Sequence, residues 1–244
     1  NEPMRILVTA GNTLAMVDRV RAITNIFTGR TGTSIALEAY RRGHSVILLT
    51  SHPDVIQELQ GDLSLDPGRW KHWRFNTFEQ LQYLMFKVVF DGAPQVIVHA
   101  AAVSDYLAAG VYAPAATTHF DNDMTWRDER DQPMLLDRNA GKVKSDEPEL
   151  WIRLKRAPKL IDQLRGDLGF KGTLVKFKLE VGVDEATLLD IAEKSRQASQ
   201  ADWMVANTLE GAGDWALVGN ERGYRKVSRA ELPATLLDLL PLAA

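Results

Sequence analysis

The chain has 244 residues, 45% of them hydrophobic and 25% charged, with a formal net charge of −3; this is enough apolar content for a packed core without covalent staples. It has no cysteine, which excludes disulfides, a thiol nucleophile and thiolate metal sites, and fits a reducing compartment. No basic run suggests a nucleic-acid surface, no apolar run reaches the roughly twenty residues of a membrane helix, and no signal peptide precedes the first strand, so the protein is expected to be cytoplasmic, with neither nucleic acid nor membrane as partner.

After Asn1-Glu2-Pro3, Met4 reads as the natural start. Arg5 to Thr9 is a short run rich in branched apolar residues, the pattern of a buried strand. Ala10-Gly11-Asn12-Thr13 breaks it. From Thr31 to Arg42, Ile35, Leu37, Ala39 and Tyr40 alternate with polar residues in the manner of an amphipathic helix, which Gly43 ends. Ser45 to Leu49 is a second buried strand. Strand, glycine turn, helix and strand make a right-handed βαβ unit whose loops lie at the carboxyl ends of the strands, where open α/β sheets bind ligands.

The segment between strand and helix, Gly11 to Arg30, is unusually long. Gly11 stands alone instead of opening G-x-G-x-x-G. A second cluster, Asn25 to Gly32, abuts the helix. There Gly29 and Gly32 let backbone amides approach an anion, with Thr28 and Thr31 as hydroxyl donors; the plainer alternative is a two-glycine loop that enters a helix.

Further along, Asp54 to Leu59 reads as a short helix and Trp70 to Phe75 as a third strand. Thr77 caps a helix with Gln80 as its capping-box partner. Gln95 to His99 is a strand buried on both faces, and His99 reads as a core histidine. Three alanines follow, then Val103-Ser104-Asp105-Tyr106; Asp105 is either a metal, ribose or base contact or the cap of a buried turn. Residues 107–141 are polar and weakly periodic, too irregular for the sheet, as functional or disordered loops are. Leu150 to Leu154 is a strand, and Pro158 opens a helix to Leu168. Thr173 to Glu180 is a central strand, and Asp184 caps a helix to Gln200. Strands follow at Asp202 to Asn207, Trp215 to Val218 and Tyr224 to Val227, then a closing helix from Arg229 to Leu240.

Three strings carry a resemblance: Ile6-Leu7-Val8-Thr9-Ala10-Gly11-Asn12-Thr13, Val17-Asp18-Arg19-Val20-Arg21-Ala22-Ile23-Thr24-Asn25, and Thr28-Gly29-Arg30-Thr31-Gly32. Together they resemble phosphopantothenate–cysteine ligase, which joins 4′-phosphopantothenate to cysteine in coenzyme A biosynthesis. Ala101 to Tyr106, Gly141 to Ser145, Thr173 to Glu180 and Asp202 to Asn207 extend it over nearly the whole chain outside 107–141. Asn12 stands where that family has a second glycine, Leu14-Ala15-Met16 where it has R-E-P, and Phe27 where it has serine.

The resemblance implies an α/β fold: a three-layer Rossmann-like sandwich with a mostly parallel sheet and a protruding arm or flap. It implies a single domain over 4–244 with the arm at 107–141, which reaches a partner in a homodimer. It implies CTP or ATP as co-substrate, Mg2+, and no flavin. Asn25 matches the family's asparagine that holds the acyl-nucleotidylate, and Lys142 its lysine that meets the triphosphate. Gly11, Thr28 and Gly29 line the phosphates, Ala102, Ser104 and Tyr106 offer backbone groups to the base, and Asp105 is the metal or ribose candidate. Two rivals are an NAD(P)-dependent Rossmann reductase, disfavoured by the missing G-x-G-x-x-G and by a second strand ending in Leu48-Leu49-Thr50, and a non-catalytic nucleotide-binding paralogue.

Overall fold

The structure, a computed structural model, describes residues 2–240. In chain order its elements are β1 (Arg5–Ala10), β2 (Leu14–Met16), β3 (Ala22–Thr24), α1 (Arg30–Arg41), β4 (Ser45–Thr50), α2 (Asp54–Gln60), β5 (Trp70–Arg74), α3 (Phe78–Gly92), β6 (Val96–His99), β7 (Tyr106–Pro114), β8 (Thr118–Phe120), β9 (Trp126–Asp128), β10 (Leu135–Asp137), β11 (Trp151–Arg156), α4 (Leu160–Arg165), β12 (Thr173–Glu180), α5 (Glu185–Ala198), β13 (Trp203–Thr208), β14 (Trp215–Asn220), β15 (Gly223–Ser228) and α6 (Leu232–Leu239). They form two compact units, one made of residues up to 13, 26–103 and from 159 on, the other of 14–25 and 104–158.

The first unit is a three-layer α/β sandwich. Its sheet has eight strands in the order β15-β14-β13-β12-β6-β1-β4-β5. The six from β13 to β5 run parallel, and β14 and β15 close one end antiparallel. Successive side chains of a strand point to opposite faces, and the burial divides accordingly. Ile6, Val8, Val46, Leu48, Val96 and Val98 join α1, α2 and α6 in one core. On the opposite face, Met204, Ala206 and Leu217 pack against Leu188 and Ala192 of α5.

That second face also buries polar groups. Thr9 Oγ1 and His99 Nδ1 are 2.8 Å apart. Lys176, the register partner of His99, donates to the Ser195 carbonyl at 3.1 Å and to Ser199 Oγ at 2.5 Å, and Ser199 Oγ donates to Asp162 at 2.8 Å. Burial, then the Lys176 charge, pushes the His99 imidazole down to about 4. Burial likewise pushes the Lys176 amine down to about 8. His99 is a core histidine, as its flanking apolar run suggests.

Local signals place the helices. Thr77 Oγ1 accepts from the Gln80 amide at 3.2 Å while the Gln80 side chain accepts from the Thr77 amide, completing the capping box before α3. Asp184 caps α5 through the Thr187 amide at 2.8 Å. At the sheet's two ends, β5 exposes Lys71 and Arg74, and β15 exposes Arg225 and Lys226.

In the second unit, β7 is the central strand of a three-stranded antiparallel sheet, β10-β7-β11, accompanied by the hairpins β2-β3 and β8-β9. The expectation that 107–141 is irregular is corrected: four strands lie within or at the edge of it. Their partners are far away in sequence, Leu135 beside Pro114 and Trp151 beside Tyr112. Phe120, Trp126 and Trp151 pack on one another with ring centroids 4.7–5.1 Å apart. Phe120 and Trp126 of the arm thus have aromatic neighbours within their own unit.

Candidate functional site

The three glycines of the amino-terminal segment are required by close backbone approach. Gly11 follows β1 with φ 92°, and Gly29 precedes α1 with φ 82°, both in the left-handed region where glycine carries no steric penalty. A methyl group on Gly29 would lie 2.5 Å from the Gly11 amide nitrogen, and one on Gly32 would lie 2.7 Å from the Ala10 methyl. Asn12, where the resembled family has glycine, is buried: Ser51 Oγ accepts from its amide and donates to its side-chain oxygen, each at 2.9 Å.

These turns floor a cavity of about 280 Å³ at the carboxyl ends of the parallel strands. Gly11, Thr28, Gly29 and Gly32 line it on one side, and Ala100, Ala101 and Ala102 line it from the end of β6. The Ala102 amide donates to the Gly11 carbonyl at 2.7 Å and its carbonyl accepts from the Thr13 amide at 3.2 Å, which ties the two strand ends together. Phe177, Leu179, Trp215 and Leu232 give it apolar walls.

Among the described residues, three cations line this cavity, Arg30, Lys178 and Arg229, and no carboxylate does. Arg30 is 2.6 Å from Glu58 and Lys178 is 3.4 Å from Glu180. The first turn of α1 has no acidic residue and no side-chain cap for the amides ahead of Thr33, whose own amide donates to the Gly29 carbonyl at 3.0 Å, and the helix dipole favours an anion there. The arrangement suits a phosphate, with flat or apolar chemistry beside it.

Of the residues singled out from sequence, Gly11, Thr28, Gly29 and Ala102 line this one cavity. Asn25, Ser104, Asp105, Tyr106 and Lys142 belong to the second unit. Asn25 follows β3, and its carbonyl accepts from Thr24 Oγ1 at 3.2 Å. Asp105 is exposed, with its carbonyl accepting from the Ala157 amide at 2.8 Å. Tyr106 begins β7 and is also exposed. Among the described residues, no three His, Cys, Asp or Glu side chains come together to hold a metal.

Lys142 is exposed in a loop that the turn at 18–21 clamps. The Gly141 carbonyl accepts from the Arg19 amide at 2.9 Å, the Val143 amide donates to Asp18 at 2.9 Å, and Arg21 donates to the Val143 carbonyl. The Val143 amide, with those of Val20 and Arg21, holds the Asp18 carboxyl down at about 2. The Val17-to-Arg21 string therefore has a structural task within its unit.

Lys178, Asn207, Trp215 and Arg229 also line the cavity and were missed as site residues. Lys178 and Asn207 carried a legible signal, because they sit near the carboxyl ends of β12 and β13, where parallel sheets bind ligands. Arg229 carried none.

The family model described as "DNA/pantothenate metabolism flavoprotein C-terminal domain" matches residues 2–125. A coenzyme A biosynthesis bifunctional protein CoaBC from Thermococcus kodakarensis is 29% identical over 97% of this chain and 51% of its own length. The chain thus spans about half the length of the curated relatives it matches. The crystal structure of the DNA/pantothenate metabolism flavoprotein from Streptococcus pneumoniae superposes with a TM-score of 0.73 at 26% identity, covering 96% of this chain and 97% of that one. A Cab2 mutant in complex with phosphopantothenate-cysteine shares the fold, with a TM-score of 0.67 at 17% identity over 96% and 86% of the two chains.

These matches correct several expectations. The matched model carries a flavoprotein's description, and none of these relatives is described as a ligase, so the identification as phosphopantothenate–cysteine ligase is replaced by that family. CTP, ATP and Mg2+ as co-substrates find no support among them, and the expectation that no flavin is needed is withdrawn on the same description. The Cab2 complex holds phosphopantothenate and cysteine already joined, rather than as the two separate partners expected. The NAD(P)-dependent reductase and the non-catalytic paralogue gain nothing from these matches either. With that model covering half of it, the chain belongs to the DNA/pantothenate metabolism flavoprotein C-terminal domain family.

Proposed function

We propose that this chain is an enzyme of coenzyme A biosynthesis that handles the joined phosphopantothenoyl-cysteine adduct, gripping its phosphate at the glycine floor of the first unit's cavity. The observation that carries the reading is the lining of that cavity, three cations and no carboxylate around the open amide end of α1. The names of the curated relatives supply the pathway, and the Cab2 complex supplies the adduct. No described helix is long and apolar enough to cross a membrane, and a cytoplasmic site of action accords with the absence of cysteine.

The family's description brings in a flavin. Beside the glycine floor that takes the adduct's phosphate, Ala100 to Ala102 with Phe177 and Trp215 suit a flat ring. When bound, a flavin supplies a two-electron acceptor. This chain's own residues would shelter the ring from water.

Two measurements test the proposal. Calorimetric titration with the adduct should show binding that inorganic phosphate weakens by competition; no binding overturns the reading. Mass spectrometry of the adduct incubated with the protein, with and without flavin mononucleotide, tests turnover. Loss of carbon dioxide, or another defined change, identifies the reaction, and adduct recovered intact in both reactions overturns the enzyme assignment.

A further inference from the structure

A second cavity, of about 560 Å³, adjoins the first and shares Arg30, Thr31 and Arg229 with it. Arg41 and Glu38 also line it. The cations of the two cavities differ in whether a carboxylate answers them. Arg30 is 2.6 Å from Glu58, Arg41 is 3.7 Å from Glu38, and Lys178 is 3.4 Å from Glu180.

Arg229 makes no side-chain hydrogen bond or ion pair with any described residue. It is half-buried, and its backbone amide donates to the Asp214 carbonyl at 2.8 Å, which anchors its position ahead of α6. This half-buried guanidinium lines both cavities with Trp215 and Leu232 close by in the first, and no described carboxylate is bonded to it, which leaves its donors available to an anion. A guanidinium offers a planar fork that matches a carboxylate in two parallel hydrogen bonds.

We propose that Arg229, where the two cavities meet, is a specificity residue that recognises a second anionic group, the cysteine carboxylate of a ligand whose phosphate rests on the glycine floor. This rests on the reading of the cavity as the adduct's site. The cavity would then select ligands with an anion at each end over those with a phosphate alone.

The test compares phosphopantothenoyl-cysteine with its counterpart lacking the carboxylate, phosphopantothenoyl-cysteamine, by calorimetry on the full chain. Wild-type protein should bind the first more tightly. Arg229→Ala should weaken the adduct by about tenfold or more beyond whatever loss the cysteamine compound shows, the value of a charged hydrogen bond. Arg229→Lys keeps the charge without the fork and should recover part of the difference, and thermal melts of both variants establish that they are folded. Equal losses for both ligands, or none, overturn the role of Arg229 while leaving the site assignment standing. Wild-type protein that binds neither ligand overturns the site assignment and this proposal with it.

Discussion

A methyl group placed on Gly29 would lie 2.5 Å from the backbone nitrogen of Gly11. The two turns that floor the cavity are thus packed main chain against main chain. Gly29→Ala must both separate them and hold alanine at φ 82°. The substitution should cost on the order of 3 kcal/mol, read by urea denaturation, and should abolish ligand binding in the same preparation. An alanine variant as stable as wild type would mean that the turns part easily.

His99 sets a pH dependence. Its pKa is held at about 4 against 6.5 in the unfolded chain, so between these values the unfolded state binds a proton that the folded state refuses. Stability is fully present above 6.5 and falls as pH drops through that window. From pH 6.5 to about 5 the loss should be on the order of 2 kcal/mol. His99→Gln should flatten the unfolding midpoints over that range, apart from a slope of the same sign from His44, whose pKa burial also lowers. An unchanged slope would remove His99 as its source.

Asp18 accepts from the amides of Val20, Arg21 and Val143. Asp18→Ala should therefore release the loop that carries Lys142. Hydrogen–deuterium exchange should quicken at Val143 and its neighbours in the second unit and stay unchanged in β1 and β6. Because folding depresses this carboxyl to about 2, the wild-type loop should loosen in the same way as pH falls from about 4 towards 2. Protection that survives the substitution would show that Arg19 and Arg21 hold the loop by themselves.

Trp151 touches both Phe120 and Trp126. Trp151→Ala should cost about 2 kcal/mol and should erase near-ultraviolet circular dichroism from the cluster. Loss of that signal with no change in stability would show that the cluster is ordered but contributes little.

The readable parts of this fold were those whose cause is local. Thr77 with Gln80 and Asp184 with Thr187 lie within a turn of each other, and the apolar runs of β1, β4, β6 and β12 announce strands buried on both faces. The second unit was obscure because β7 finds its neighbours across wide gaps, Leu135 and Trp151, and its half-exposed strands are short. The glycines at 11, 29 and 32 stood out in the sequence, but their packing against one another did not. Arg229 was invisible because only the folded sheet brings the chain before α6 to the end of β1.

The basic residues on both rims of the eight-stranded sheet have a consequence for the protein in bulk. A strand with free hydrogen-bonding groups can recruit a copy of itself and propagate a ribbon from molecule to molecule. Antiparallel pairing of β5 with another β5 would crowd Lys71 and Arg74 against their own kind, and β15 would do the same with Arg225 and Lys226. Like charges facing across strands are destabilising, so each molecule terminates its own sheet. Salt shortens the reach of such repulsion, so this guard weakens as ionic strength rises.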